Sequence, residues 1–309
     1  MPSKKVVVLM KAYLGDAVMA TPLLQELVDA GLDVHALTDQ PVVDLLKDTF
    51  PKVRFFVTRA IQRPSQLLAQ ASELRARHYD LALVVNRSFR AALVVKMAKT
   101  PVRVGHNTDH RGMLLTKSEP YSAFRFEADC YLDLARLAGI KVGERRPFLA
   151  ASDDSLKCAA QKLNGTTIGI QPGARHPEKE IPFPALVEVV EALQQDRDVV
   201  LLGGPEEKPA GARLAEALKK KPLDLIGELS LRESVAGTSQ LKLMIGGDTG
   251  LMHIAAAADC PTVTLFGPTG ATKWGHHYEP HQVLAAESKS MDEFTADDIL
   301  SAARRALST

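Results

Sequence analysis

The residues able to do chemistry in this chain gather where short apolar runs end. In "IGGDTGLMHIAAAAD" an apolar run stops at Ile245 and is followed by Gly246, Gly247, the acid Asp248 and the hydroxyl of Thr249. The glycines let backbone approach a ligand closely. Asp248 or Thr249 can cap a helix that starts near Leu251, and the first amides of that helix form an anion site. "IQPGARHPEKEIP" places Gly173 and Ala174 just past another run, with Arg175 and Lys179 close behind. These cations can neutralise a diphosphate. "LLGGPEE" adds Gly203 and Gly204, with Glu206 or Glu207 able to accept from ribose hydroxyls, and "LFGPTGATKWG" adds Gly267 to Gly270. One capped turn can serve folding alone. Four glycine turns in one half of the chain point to a nucleoside diphosphate group. None matches the GxxxxGK[ST] phosphate loop, and none matches GxGxxG with an acid about 20 residues on.

The other half differs. Its first turn, in "VVVLMKAYLGDAVMATPLL", has Gly15 and the acid Asp16 where a phosphate loop would stand. By position alone Asp16 is either a general base or the cap of a helix beginning near Ala17. Arg87 and Arg90 follow "LALVVN"; Arg103, His106, His110 and Arg111 follow "PVRVGHN" or belong to it; Arg59 and Arg63 follow "FFVT". These form a basic rim suited to an anionic ligand, or an ordinary solvated surface. Trp274 and the run His276 to Tyr278 either stack near a nucleotide base or pack internally.

The elements that must position these residues alternate between β-branched runs and amphipathic stretches. "KVVVLM" precedes a helix near "DAVMATPLLQELVDAG"; "DVHALT", "VRFFVT", "YDLALVVN" and "VRVGHN" continue the series. After the polar stretch "GERRPFLAASDD" the rhythm restarts with "TTIGI", "DVVLL", "LDLIGE", "KLMIGG", "PTVTLFG" and "HQVLAA". Such alternation predicts α/β folding into parallel, doubly wound sheets. Residues 1–150 and 151–290 are expected to form two Rossmann-like domains facing across a cleft. Residues 291–309 are expected to form a final helix packing back toward the first domain. Ligands in such sheets lie beyond the carboxyl ends of the strands.

Composition narrows the function classes. The chain has 309 residues, is 46% hydrophobic and 24% charged, and carries a formal net charge of +1. That balance suits two cored domains and gives no support to nucleic-acid binding. Cys130, Cys158 and Cys260 show no CxxC spacing and read as small buried hydrophobes in a reducing cytoplasm. No export signal or membrane-length apolar run is present, so any membrane contact is expected to be peripheral. No Asp-x-Asp metal signature falls in a strand-end turn, and neither metal nor cofactor is expected.

In these residues the chain resembles glycosyltransferase family 9, the ADP-heptose–lipopolysaccharide heptosyltransferases. "PGARHPEKEIP", "LLGGPEE", "GDTGLMHIAAA" and "TLFGPT" occur in that order, and "LGDAVMATPLL", "RSFRAALV" and "RVGHN" match as well. The resemblance implies a GT-B fold and an inverting, metal-independent transfer of heptose from ADP-heptose to a sugar hydroxyl of the lipopolysaccharide inner core. It implies that Asp16 is the base and that Lys179 stabilises the leaving diphosphate. Gly173, Ala174, Arg175, Gly203, Gly204, Glu206 or Glu207, Gly247, Asp248, Thr249, Gly250, Met252, His253 and Gly267 would hold the donor. Gly15, Arg59, Arg63, Arg87, Arg90 and Arg111 would hold an anionic glycan or glycolipid acceptor. A monomer is expected, cytoplasmic or peripheral on the cytoplasmic face of the inner membrane. Two departures stand out: Ile181 precedes Pro182 where the family often has an aromatic, and Gly247 replaces an asparagine. A transferase of the same family using another nucleotide sugar or acceptor, and a non-catalytic nucleotide-sugar-binding protein, are the alternatives.

Overall fold

The computed structural model describes residues 3–58 and 63–308. The chain divides into two compact units, Met1–Pro147 and Phe148–Thr309. In the first unit, β1 (Lys5–Leu9), β2 (Asp33–Thr38), β3 (Arg54–Val57), β4 (Leu81–Val84), β5 (Val102–Asn107) and β6 (Lys117–Pro120) form one sheet in the order β3-β2-β1-β4-β5-β6. In the second, β7 (Ile168–Ile170), β8 (Val199–Leu201), β9 (Leu223–Asp224), β10 (Leu243–Gly247), β11 (Thr262–Phe266) and β12 (Gln282–Ala285) run in the order β12-β11-β10-β7-β8-β9. Every pairing is parallel. Counted along each unit, the two orders are the same Rossmann order.

The central strands are apolar throughout because helices cover both faces. Side chains alternate between two cores in the second sheet. Leu243 and Ile245 enter one with Ile168, Ile170, Val263 and Leu265. Met244 enters the other with Val200, Leu202, Met252 and Ala255. In the first unit, Val7, Leu9, Ala82 and Val84 pack against Ala91, Val94 and Val95.

Four details differ from the sequence expectation. The run after β1 folds as two helices, Leu14–Met19 and Thr21–Asp29, parted at Ala20 just ahead of Pro22. β6, "KSEP", is an added edge strand with no apolar pattern. The final helix Ala296–Leu307 lies within the second unit, where Ile299, Ala302, Ala303 and Ala306 enter the core beside Val263 and Leu265. Their spacing puts one apolar stripe on the second sheet, and residues 291–308 pack as part of that unit. Cys158 is half-buried, whereas Cys130 and Cys260 are buried.

Candidate active site

A Rossmann order creates a crevice where neighbouring strands send their connections to opposite faces. This switch point falls between β1 and β4 in the first unit and between β7 and β10 in the second. The two crevices carry unlike chemistry.

In the second unit, β10 ends at Gly247 and the helix Gly250–Ala257 begins three residues later. Thr249 caps it, accepting at its hydroxyl from the Met252 amide at 3.4 Å. The amides of Gly250 and Leu251 have no intrahelical partner, as at any helix start. Lys179 reaches this end from the turn after β7. Its Nζ lies 2.9 Å from Asp248 Oδ2 and 3.1 Å from the Asp248 carbonyl. A Cβ on Gly247 would collide with the Lys179 carbonyl oxygen. Position 247 therefore requires glycine, because the Lys179 turn lies directly on the strand end.

The other Asp248 oxygen, Oδ1, is 3.3 Å from His253 Nε2. Burial alone would raise the Asp248 carboxyl. The hydrogen bond from His253, the positive charge His253 carries when protonated, and the charge of Lys179 outweigh it and hold the group well below the usual carboxylate range.

Glu206 and Glu207 separate clearly. Glu206 is exposed, whereas Glu207 is buried and accepts from Gln171 Nε2 at both oxygens, at 2.9 and 3.0 Å. Gln171 accepts in turn from the Thr249 hydroxyl at 2.5 Å. A polar chain thus links β10, β7 and the turn after β8. Burial pushes the Glu207 carboxyl up to about 7, against the lowering effect of Gln171.

Arg175 is exposed in the same turn as Lys179. Gly173 and Ala174 lead into that turn, and Gly203 and Gly204 lead to the two glutamates. Gly267 abuts Met291, which leaves no room for a side chain. The Met252 side chain is buried in the core beneath the helix. Trp274 stands 6.2 Å from His253, centroid to centroid.

In the first unit, Gly15 and Asp16 lie inside the helix Leu14–Met19, whose N-cap is Tyr13. Asp16 is 9% exposed, and its partners are side chains rather than helix amides. Lys11 Nζ is ion-paired with Asp16 Oδ1, and Tyr131 donates to the same oxygen at 2.7 Å. Lys11 also contacts Glu127 at 3.2 Å, and Tyr121 donates to Glu127 at 2.7 Å. The helix-cap alternative for Asp16 is not what the structure contains.

The arginines separate into two groups. Arg111 is fully buried and donates to the carbonyls of His106, Asn86, Ser88 and Val84. It ties the turn after β4 to the turn after β5, so its expected acceptor contact is corrected to a structural one. Burial, helped by the charge of Arg87, pulls its guanidinium down to about 10. Arg103 likewise donates to Leu114 and Thr100 carbonyls, and His106 is buried. Arg87 lies over the Tyr121 ring at 3.9 Å, while Arg90, Arg63 and His110 are exposed at the same strand ends. Arg59 lies outside the described residues.

Sequence reasoning missed Lys11, Tyr131, Glu127 and Gln171. Lys11 and Gln171 had a usable signal, being polar residues directly past an apolar strand. Tyr131 and Glu127 come from a helix more than a hundred residues from Asp16, and no local pattern marks them.

Two doubly wound α/β units of this kind make up the GT-B fold. Across 98% of this chain the fold matches the glycosyl transferase family 9 structure from Veillonella parvula (TM-score 0.88, 20% identity, 97% of that chain). It also matches the ADP-heptose lps heptosyltransferase II of E. coli (TM-score 0.85, 24% identity, 98% of each chain). In sequence, the chain is 27% identical over 289 residues to lipopolysaccharide heptosyltransferase 2 of Salmonella typhimurium, covering 86% of this chain and 83% of that one. Residues 67–303 match the model of glycosyltransferase family 9 (heptosyltransferase), and the chain belongs to that family.

Proposed function

We propose that this glycosyltransferase moves a heptose from ADP-heptose to a sugar hydroxyl of the lipopolysaccharide inner core, with inversion and without a metal ion. The observation that carries the reading is the contrast between the two equivalent switch points. One presents a buried carboxylate, Asp16; the other presents a helix start with a lysine beside it.

Asp16 takes the proton from the acceptor hydroxyl as its oxygen attacks the anomeric carbon. Tyr131 and Lys11 hold the carboxylate in place. The bond from that carbon to the diphosphate breaks, and the negative charge left on ADP is met by Lys179 and the amides at Gly250 and Leu251. Asp248 anchors Lys179 and faces the sugar and diphosphate. Glu206, with Glu207 held behind it by Gln171, is placed to accept from the ribose. Arg63, Arg87 and Arg90 provide the cationic side for an anionic glycan or glycolipid.

Among the described residues no helix is long and apolar enough to cross a membrane. The working form is a cytoplasmic monomer that meets its glycolipid peripherally. Thermal unfolding with added nucleotides tests the donor assignment. ADP is expected to raise the midpoint more than UDP or GDP; a preference for UDP overturns it.

A further inference from the structure

We propose that His276 is a positioning residue for Asp248, acting through the ring of His253. The inference rests on the donor-site role given to Asp248 above.

The geometry is a continuous chain. Asp248 Oδ1 lies 3.3 Å from His253 Nε2, His253 Nδ1 lies 3.1 Å from His276 Nε2, and His276 Nδ1 lies 2.8 Å from the Tyr278 hydroxyl. Asp248, His253 and His276 are 6%, 5% and 5% exposed. The rings of Tyr278 and His281 stand edge-on to His276, each at 5.7 Å.

The direction of each bond follows from donor and acceptor capacity. An ionised Asp248 only accepts, so His253 carries its proton on Nε2. The negative charge of Asp248 already has a full counter-charge in Lys179 at 2.9 Å. A second buried cation at His253 would stand in excess, which the interior disfavours. His253 therefore keeps a lone pair on Nδ1, and that lone pair needs a donor. His276 supplies it from Nε2. Burial and the neighbouring His253, His281 and His277 rings push the His276 pKa well below the ordinary imidazole value, so its Nδ1 is left to accept. Tyr278 donates there.

The consequence is a fixed carboxylate. One Asp248 oxygen is bound by Lys179 and the other by His253. If His253 took the other tautomer, two lone pairs would face each other and Asp248 Oδ1 would lose its donor, leaving the carboxylate held by Lys179 alone. The same arrangement, an outer partner setting a histidine tautomer, is general in metal and hydrolase sites.

The test reads the tautomer directly, with no substrate present. Long-range proton–nitrogen correlation on histidine-labelled protein is expected to show His253 protonated at Nε2. In His276→Leu, where only Asp248 still favours Nε2, that preference is weakened and the Nδ1–H form grows. In His276→Gln, whose amide can still donate to His253, the preference returns. Turnover should follow the same pattern, falling about ten- to a hundred-fold in the leucine variant and recovering in the glutamine variant. Tyr278→Phe, at a half-buried site, is expected to weaken the preference partially and serves if the leucine variant does not fold. A wild-type His253 protonated at Nδ1, or a tautomer unmoved by every variant, overturns the inference. Asp248→Asn separates it from the reading beneath: full turnover in that variant removes the donor-site role while leaving the tautomer result standing.

Discussion

The Tyr131 hydroxyl donates to Asp16 Oδ1 across 2.7 Å, bringing together residues 115 positions apart. The bond is buried, and burial together with the Asp16 and Glu127 charges holds the Tyr131 hydroxyl well above its usual range as a protonated donor. Asp16 is thereby held by Tyr131 and Lys11 rather than by the amides of its own helix. Four predictions follow from this and from the second crevice.

Asp16→Asn keeps the shape and the Tyr131 contact but removes the base. Turnover should fall about 10²- to 10⁴-fold, the contribution of a positioned base. ADP affinity, measured calorimetrically, should stay near that of the parent, since the phosphate site proposed above lies in the other unit. A parallel loss of ADP binding contradicts the assignment.

Lys179→Ala removes the cation at the helix start. Loss of a charge-assisted bond of about 1.5–3 kcal/mol corresponds to a roughly ten- to hundred-fold weaker ADP complex. The variant also leaves Asp248 buried without its lysine, so a lower unfolding midpoint should accompany the affinity loss. Unchanged ADP affinity argues that Lys179 only anchors its own turn.

Glu207 gives a pH signature. Its folded value near 7 stands above the ordinary value of 4.5, so the folded state binds more protons than the unfolded between those limits. Stability from this group is fully present below about pH 4.5 and is lost as pH rises through 7. Unfolding midpoints of the parent should therefore decline across that window more steeply than those of Glu207→Gln. Equal slopes contradict the shift.

Arg111→Met separates strut from acceptor contact. Four carbonyls lose their donor, which should lower stability by at least about 3 kcal/mol. Arg90→Ala, at an exposed position, should instead raise the acceptor KM with little change in stability. The reverse pattern contradicts the division of the arginines.

The sequence made the repeated α/β plan legible because buried parallel strands are continuous apolar runs, as in "VVVL" and "LALV". It did not reveal β6, because "KSEP" is an exposed edge strand whose pairing comes from the backbone rather than from apolar side chains. The last helix was visible as a helix, but its partner was not, since an apolar stripe does not say which sheet it covers. The glycine turns were visible as such, and they stand at the ends of β7, β8, β10 and β11. The basic rim was read too evenly: charge type is visible in sequence, whereas burial is what turns Arg111 inward and leaves Arg90 outside. The different surroundings of Glu206 and Glu207 likewise depend on Gln171, which sits on a different strand connection.

The most direct test of the account is a transfer assay with ADP-heptose and purified inner-core acceptor, comparing the parent with Asp16→Asn after matching their ADP affinities. The account predicts heptose incorporation with release of ADP by the parent, and loss of at least about 10²-fold in the variant at equal ADP binding. Equal incorporation by both proteins, or transfer by the parent from a UDP-sugar but not from ADP-heptose, would contradict it.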